Sequence, residues 1–326
     1  MRKQNLSENK VLTKGEFSTL MVLRETQREL KIPESFISQV IHAVTLSITK
    51  KPASLEKGMF IISVDVDVGS GGLGILNHGR NDRNVHNYLS ERIVGEAEKT
   101  ALPIFLDAFE EFQVPVTFAL RGQMLEVDSS PLVLLLNSEV KHDIGGHGYS
   151  HKRFSELSSL EAEVELSKLA TAMDTFKIKP SSFVFPKNSV AHLDLLEKHG
   201  YRSYRSYGNF KLDCMQIEKH GNLFNLRPSL NVDQSINSLL LKQIVRVAIR
   251  KHLPLHMWFH LWNFGLSEKA LRKSVQRIFL PLLKFARKEV DGGLLTFETM
   301  ASAIDKIGNS SIEQTIFKSG SYVGGN

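Results

Sequence analysis

The stretch that decides the fold is MFIISVDVD, residues 59–67, an apolar run that ends in two aspartates. Such a run is typical of a strand buried on both faces. Strand side chains alternate between two faces, so Asp65 and Asp67 point the same way. Two carboxylates this close resist simultaneous ionisation unless a cation or a proton lies between them. The pair therefore indicates a metal ligand or a general base, with a solvated pair at a strand end as the alternative.

Beyond residue 58, short β-branched or aromatic runs alternate with longer amphipathic stretches. The clearest predicted helix is 158–176, where Ser158 and Glu161 fit a capping box. This alternation, repeated about seven or eight times, predicts a parallel sheet closed or nearly closed into a barrel, with an open doubly wound sheet as the alternative. The further predicted strands are VPVTFAL, VKHDIGGH, SSFVFP, YRSYRS, NLFNLRP, LPLHMWFH and GGLLTF. The further predicted helices are 91–112, 190–199, 234–252 and 268–290.

The two ends of the chain differ from this central part. Residues 1–57 are rich in lysine and glutamate, and a turn at Pro33 separates two predicted helices. We therefore predict a helical N-terminal extension over 1–57, a barrel over 58–307 and a loose C-terminal tail over 308–326.

Composition excludes several classes of protein. With 326 residues, 42% of them hydrophobic, the chain can bury a core, which excludes a disordered or fibrous protein. The net charge of +6 is too small and too dispersed to indicate nucleic-acid binding. A single cysteine, Cys214, excludes an intramolecular disulfide framework and a thiolate-rich zinc site. We see neither an export signal nor a membrane span, and expect a cytoplasmic protein.

A second polar cluster is KHDIGGHGYSH, residues 141–151. Its histidines 147 and 151 are four positions apart, so they share one helical face or converge on a metal from a loop that runs into a helix. Chance is a serious competitor, because the chain has 12 histidines. The spacing alone is therefore weak support for a metal site.

Two further segments complete the pattern. In FVFPKN, residues 183–188, a predicted strand ends at a proline. In LPLHMWFHLWNFG, residues 253–265, a predicted strand carries His256, Trp258 and His260 on one face. A buried aromatic cluster would explain Trp258, whereas the position of His260 beside the polar residue Asn263 suggests the rim of a pocket.

In order and spacing, these segments resemble the motifs of the polysaccharide deacetylases, the group also called carbohydrate esterase family 4 or nodulation-type deacetylases. SVDVDVG resembles the first family motif, GHGYSH the second, FVFPKN the third and FHLWN the fifth. The resemblance covers about residues 58–300. It implies a distorted (β/α)7 barrel, in agreement with the alternation of strands and helices.

The resemblance also implies roles for five side chains. Asp65 corresponds to the catalytic base and His260 to the catalytic acid, while Asp67, His147 and His151 correspond to the metal ligands. Two imidazoles and one carboxylate suit a borderline ion such as zinc and leave positions open for water and a carbonyl oxygen. The family's oxyanion donor, a backbone N–H just after the motif-three proline, would be that of residue 187.

The sequence departs from the family pattern at two places. The arginine that holds the catalytic base in the family falls at Val184, and Lys187, Arg205 or Arg227 could supply the charge instead. No convincing fourth motif is present, and Asp213 corresponds to it by position only.

Three neighbouring features have simpler interpretations. His142 corresponds to a supporting polar residue of the family, and His256 is a rival of His260 that we rank second because it lies farther from the strand end. The glycine-rich loop 69–74 lacks the lysine-serine pair of a phosphate-binding loop and is interpreted as a rim loop.

The resemblance implies a metal-dependent hydrolase that removes an acetyl group from an N-acetylated sugar of a polysaccharide or glycan precursor. An amidase acting on another non-peptide C–N bond, and a noncatalytic glycan-binding protein, remain the alternatives. The expected partner is thus an N-acetylated saccharide, with no nucleic acid and no membrane span.

Overall fold

The computed structural model describes residues 55–66, 91–206 and 215–308 of the chain. Ten strands lie within these ranges, and all pair in parallel except β6 with β7. In chain order they are β1 (Gly58–Val66), β2 (Thr117–Leu120), β3 (Asp143–Gly146), β4 (Ser182–Val184), β5 (Ser203–Arg205), β6 (Ile217–His220), β7 (Leu223–Leu226), β8 (Leu230–Asn231), β9 (Pro254–His260) and β10 (Leu295–Glu298).

Helices connect most of these strands. They are α1 (Glu91–Glu111), α2 (Gly122–Val127), α3 (Ser130–Leu136), α4 (Ser159–Asp174), α5 (Leu193–Lys198), α6 (Ser238–Lys251), α7 (Glu268–Ser274), α8 (Leu280–Asp291) and α9 (Met300–Gly308). A π-helical turn, Val275–Phe279, joins α7 to α8, so the predicted helix over 268–290 runs almost unbroken. In the described ranges, no helix combines the length and the apolar character that a bilayer crossing requires.

Strand β1 is the centre of the sheet. It pairs with β9 on one side and with β10 and then β2 on the other, within the order β6-β7-β5-β4-β3-β2-β1-β9-β8. Its nine residues are all buried, as expected for a strand covered on both faces. The sequence signal at residues 59–67 therefore marks the strand on which the rest of the sheet is built.

The sheet curls into a barrel. Strands β1 and β5 are separated by three others in the sheet order, yet the side chains of Asp65 and Arg205 form hydrogen bonds of 2.6 and 2.7 Å. A flat sheet would keep these strands about 19 Å apart at the usual spacing between neighbours. The predicted distorted barrel is thus confirmed, and the open doubly wound alternative is wrong.

Apolar side chains fill one end of the barrel. They form a cluster with α9, which covers that end. The cluster comprises Leu55, Met59, Ile61, Ala119, Val184, Ile217, Phe224, Leu226, Met300, Ala303, Ile304 and Ile307. Since one end is closed by this core, the polar side chains at the carboxyl ends of the strands lie at the other end, where barrel enzymes place their sites.

All eight strands predicted from the sequence are present, together with two short ones, β6 and β8, that were not predicted. The predicted capping box is confirmed: Ser158 accepts a hydrogen bond from the backbone of Glu161, whose side chain accepts one in return. The predicted N-terminal extension and C-terminal tail lie outside the described residues, apart from residues 55–57 and 308.

Candidate active site

Four strands deliver polar side chains to the open end of the barrel. Asp65 lies near the end of β1, His147 directly follows β3, Arg205 ends β5 and His260 ends β9. Because the carboxyl ends of parallel strands meet at one rim, residues far apart in sequence become neighbours.

Asp65 and Arg205 form a buried bidentate ion pair. Arg205 donates from Nη1 to Oδ1 of Asp65 at 2.7 Å and from Nη2 to Oδ2 at 2.6 Å. Their side chains are 4% and 0% exposed. Burial alone would raise the pKa of Asp65, but the charge of Arg205, with smaller contributions from His147 and His260, holds the pKa below its ordinary value. Asp65 is therefore a carboxylate at neutral pH.

The position of Arg205 answers a question that the sequence left open. Val184 on β4, where the family arginine is expected, is the register partner of Arg205 on β5. Paired residues of neighbouring strands point to the same face, so an arginine on β5 reaches the carboxylate that one on β4 would reach. Arg227 instead donates to Glu218 at 3.0 Å. The guanidinium beside Asp65 thus comes from the next strand of the barrel.

His260 is the histidine at the rim. Its Nε2 lies 3.9 Å from Oδ2 of Asp65, its register partner across β1 and β9, and its side chain is 13% exposed. Its backbone N–H donates to Oδ1 of Asn263 at 2.9 Å, which ties the strand end to the turn that follows. Its ring contacts the rings of Trp258 and Trp262, with centroid distances of 5.6 and 5.1 Å.

His256 precedes His260 by four residues on β9 and lies deeper in the barrel. It is 2% exposed, and its ring nitrogens contact the carbonyl oxygen of Leu226 and the hydroxyl of Ser63. Burial, with a smaller contribution from Arg205, lowers the pKa of His256 to about 3. His256 is therefore neutral at physiological pH.

His147 and His151 form the second part of the site. Both are buried, and their ring centroids are 5.0 Å apart. Residues 147–151 form no helix, so the pair converges from a loop, one of the two arrangements that the spacing allowed. His151 has a positive φ of 61°, a conformation uncommon for a non-glycine residue and one that recurs at functional sites.

One hydrogen bond fixes the tautomer of His147. Its Nδ1 lies 2.8 Å from the carbonyl oxygen of Val184, which can only accept. In the neutral ring Nδ1 therefore carries the proton and Nε2 carries the lone pair, the arrangement usual for a histidine that binds a metal through Nε2.

The histidine loop is held in place by buried polar groups of other elements. Glu165 on α4 is 4% exposed and accepts hydrogen bonds from the backbone N–H and the hydroxyl of Ser150. Arg121, at the end of β2, donates to the carbonyl oxygen of Ser150 at 3.2 Å. Gly122 donates through its backbone to Gly148 at 3.0 Å. These contacts position the loop between the two histidines.

The described residues form no cluster of three metal-ligating side chains. The third predicted ligand, Asp67, lies outside the described residues, as do the loop 69–74, Asp213 and Cys214. The fixed tautomer of His147 and the adjacent buried imidazole of His151 fit a borderline divalent ion. In the sequence, Asp67 directly follows Val66, the last residue of β1.

The polar residues of the segment 141–151 lie at two ends of strand β3 and do not form one cluster. His147 and His151 lie at the site end, whereas His142 and Asp143 lie at the opposite end of the strand. His142 contacts Ser138 and the backbone N–H of Val116. Asp143 accepts hydrogen bonds from Thr117 and Ser182. Neither belongs to the site.

The turn after β4 has an unusual backbone. Lys187 and Asn188 have positive φ angles of 54° and 52° within the turn Pro186–Asn188. Two consecutive non-glycine residues in this region store strain, which persists where the surrounding structure requires the geometry. The predicted oxyanion donor, the backbone N–H of Lys187, is in this strained turn.

Ser63, two residues before Asp65 on the same face of β1, is the site residue that the sequence analysis missed. Its hydroxyl contacts both Arg205 and His256. The spacing of two along a predicted strand was an available signal, but serine is a common residue in strands and the spacing alone does not distinguish a functional hydroxyl.

The chain is similar to known proteins in part of its sequence. The family model described as polysaccharide deacetylase matches residues 75–204. A curated relative, the peptidoglycan deacetylase of Helicobacter pylori (strain ATCC 700392 / 26695), is 25% identical over 142 residues, which cover 43% of this chain. The matched part spans 46% of that relative's own length, a little under half.

Several solved structures share the fold. A candidate polysaccharide deacetylase from Mycobacterium smegmatis has a TM-score of 0.62 at 15% identity, covering 79% of this chain and 94% of its own. Another from Pseudomonas aeruginosa PAO1 has a TM-score of 0.58 at 11% identity, covering 78% of this chain and 92% of its own. The 4-alpha-glucanotransferase of Thermococcus litoralis has a TM-score of 0.55 at 13% identity, covering 77% of this chain and 41% of its own.

The third of these structures carries a different activity in its name, so the shared fold alone does not identify a reaction. The family model and the curated relative add a similarity in sequence over part of the chain. The chain is therefore similar to polysaccharide deacetylases in part of its sequence and in its fold.

Proposed function

We propose that this protein is a metal-dependent hydrolase that removes the acetyl group from an N-acetylated sugar. The observation that carries the proposal is the ionised Asp65, held by Arg205 and 3.9 Å from His260, at the barrel end that also holds His147 and His151. A base, a second titratable group and two imidazoles at one rim are the parts that metal-assisted amide hydrolysis needs.

Asp65 is suited to the role of general base. Each of its oxygens accepts one hydrogen bond from Arg205, which leaves a further lone pair on each oxygen. It can therefore take a proton from an attacking water without leaving the ion pair. In this role Asp65 stays a base at neutral pH, because its pKa lies below the ordinary value.

His260 is suited to the role of general acid, since an amine leaves poorly as its anion. The proton that His260 donates would go to the departing nitrogen of the sugar. His256 is the weaker candidate, because it is buried, neutral and occupied by two hydrogen bonds. The backbone N–H of Lys187 would donate to the oxygen of the acetyl group.

Asp67, His147 and His151 would hold the metal, for which zinc is the best match to the donor set. Such an ion, when bound, polarises the acetyl carbonyl and lowers the pKa of a water molecule. The rings of Trp258 and Trp262 beside His260 supply an aromatic wall of the kind that lines ligand sites, which favours a sugar over a small polar substrate.

Acetate release tests the proposal. The zinc-loaded full chain is incubated with N-acetylglucosamine oligomers and peptidoglycan fragments, and separately with ureides and cyclic amides. We expect acetate from the sugars alone, abolished by Asp65→Asn. Hydrolysis of the ureides or cyclic amides instead would favour the amidase. Glycan affinity that survives Asp65→Asn and His260→Ala, with no product from any substrate, would support a noncatalytic binding protein.

A further inference from the structure

A line of hydrogen bonds continues inward from the Asp65–Arg205 pair. The line leads through Ser63 to His256. Nε2 of His256 lies 2.8 Å from Oγ of Ser63, and Nδ1 of His256 lies 2.9 Å from the carbonyl oxygen of Leu226. A carbonyl oxygen only accepts, so Nδ1 carries the proton of the ring. Because the ring is neutral, Nε2 accepts, and the hydroxyl of Ser63 must donate to it.

The direction of the next hydrogen bond follows. A serine hydroxyl has one proton, and that of Ser63 is used on His256, so Oγ is left with lone pairs alone. Oγ accepts from Nη1 of Arg205 at 2.9 Å. The same Nη1 donates to Oδ1 of Asp65. Every hydrogen bond from Leu226 to Asp65 therefore has one allowed direction.

These contacts restrict a flexible side chain. Arginine has many rotamers, and a bidentate contact requires one orientation of its planar guanidinium. The ring of Trp258 stacks on the guanidinium of Arg205 at 4.4 Å and blocks movement out of its plane. Oγ of Ser63 supplies an acceptor beside Asp65, which limits rotation within the plane.

We propose that Ser63 and His256 are positioning residues that orient Arg205, and through it the carboxylate of Asp65, for the reaction. Ser63 is 0% exposed and His256 2% exposed, so neither side chain can touch a substrate at the rim and neither is a catalytic residue. This inference rests on the proposed function, and it adds two residues to the machinery of that site. It also explains a buried histidine on the strand that carries the predicted acid.

Variants of His256 separate its hydrogen bond with Ser63 from its hydrogen bond with Leu226. In His256→Gln the side-chain oxygen takes the place of Nε2 and accepts from Ser63. In His256→Asn the amide keeps the donor near Leu226 but ends short of Ser63. We expect kcat to fall about 10- to 100-fold in Ser63→Ala and His256→Asn, with KM and zinc content unchanged. His256→Gln should recover most of the loss.

His142 provides a control, because it is half-buried, also has two hydrogen-bonding partners and lies at the other end of the barrel. His142→Gln should leave kcat unchanged. Where Ser63→Ala does not fold, Ser63→Cys replaces it, since a thiol keeps the size and accepts hydrogen bonds poorly. Unchanged kcat in the Ser63 and His256→Asn variants would overturn the inference.

Crystal structures of these variants test the inference independently of turnover. We expect Arg205 to lose at least one of its two hydrogen bonds to Asp65 in Ser63→Ala and His256→Asn, and to keep both in His256→Gln. An unmoved Arg205 in all three would overturn it. If the wild-type protein releases no acetate from any sugar but Arg205 moves as expected, the proposed function fails while the positioning role stands.

Discussion

Arg205 joins the predicted base to the rest of the barrel. Replacing it by alanine would leave the carboxylate of Asp65 buried without its cation, and breaking a buried pair in this way costs about 3–5 kcal/mol. We expect Arg205→Ala to lower the free energy of unfolding by about that amount in urea titrations. Arg205→Lys keeps the charge but loses the bidentate geometry, so activity should fall more than stability.

The neighbouring pair of Arg202 and Asp305 is the matched control. Its N–O distance is 2.8 Å, but its side chains are 51% and 57% exposed. Exposed pairs contribute about 0–1 kcal/mol, so Arg202→Ala should change the unfolding free energy by less than about 1 kcal/mol. Equal losses in Arg202→Ala and Arg205→Ala would contradict the importance assigned to the buried pair.

Two histidines with lowered pKa values predict how the stability of the protein depends on pH. Burial lowers the pKa of His256 to about 3 and that of His142 to about 4, against an ordinary value of 6.5. Below pH 6.5 the unfolded chain binds protons at these two positions that the folded chain does not, so stability falls as pH falls. Each histidine contributes a slope of at most about 1.4 kcal/mol per pH unit.

Urea titrations between pH 4.5 and 6.5 measure this slope. His256→Gln and His142→Gln should each flatten the dependence of unfolding free energy on pH relative to wild type, and the double variant should flatten it further. A wild-type stability that is constant or rises as pH falls through this range would show that these rings are charged in the folded protein.

Among the elements, helix α4 has a direct connection to the histidine loop through Glu165. Groups behind metal ligands typically contribute about 10- to 100-fold to metal affinity. We expect Glu165→Gln to weaken zinc binding about tenfold or more, measured by competition with a chromophoric chelator. Glu163 on the same helix faces Lys198 and His199 at the surface, so Glu163→Gln should bind zinc like wild type. Equal affinities in the two variants would contradict the anchoring role.

The register of β4 and β5 predicts that an arginine at position 184 on β4 can replace Arg205 on β5. Val184 and Arg205 are partners in that register, and both are buried. The double variant Val184→Arg, Arg205→Val should therefore recover part of the activity and stability that Arg205→Val loses. A double variant less stable than the single one would show that only the β5 position can serve Asp65.

Long buried strands could be predicted from the sequence, whereas the shortest strands and helices could not. The eight predicted strands are correct because buried apolar runs of that length have few alternatives, whereas β8, with two residues, leaves no periodic signal. Helices α2 and α3, with six and seven residues, were not predicted for the same reason. Arg205 could be identified only as one of three candidates, because its contact with Asp65 depends on strand register and barrel curvature, which are nonlocal.

On the scale of the whole molecule, the two ends of the barrel have different tasks. Asp143, half-buried at the end opposite the site, accepts hydrogen bonds from Thr117, Ser182 and the backbone of Ala301. Asp143→Ala leaves those donors unsatisfied, at a cost of about 1–3 kcal/mol for each buried group. We expect a lower free energy of unfolding with kcat unchanged at temperatures where the variant is folded. A large loss of kcat in the folded variant would contradict this division.

The proposed function requires a metal ion at the rim beside a base that is not its ligand. Metal content of the full chain after zinc reconstitution, measured by mass spectrometry of the protein and its variants, tests this most directly. We expect about one ion per wild-type chain, lost in Asp67→Ala and His151→Ala and kept in Asp65→Asn. A wild-type chain without an ion, or an ion lost in Asp65→Asn, would contradict it.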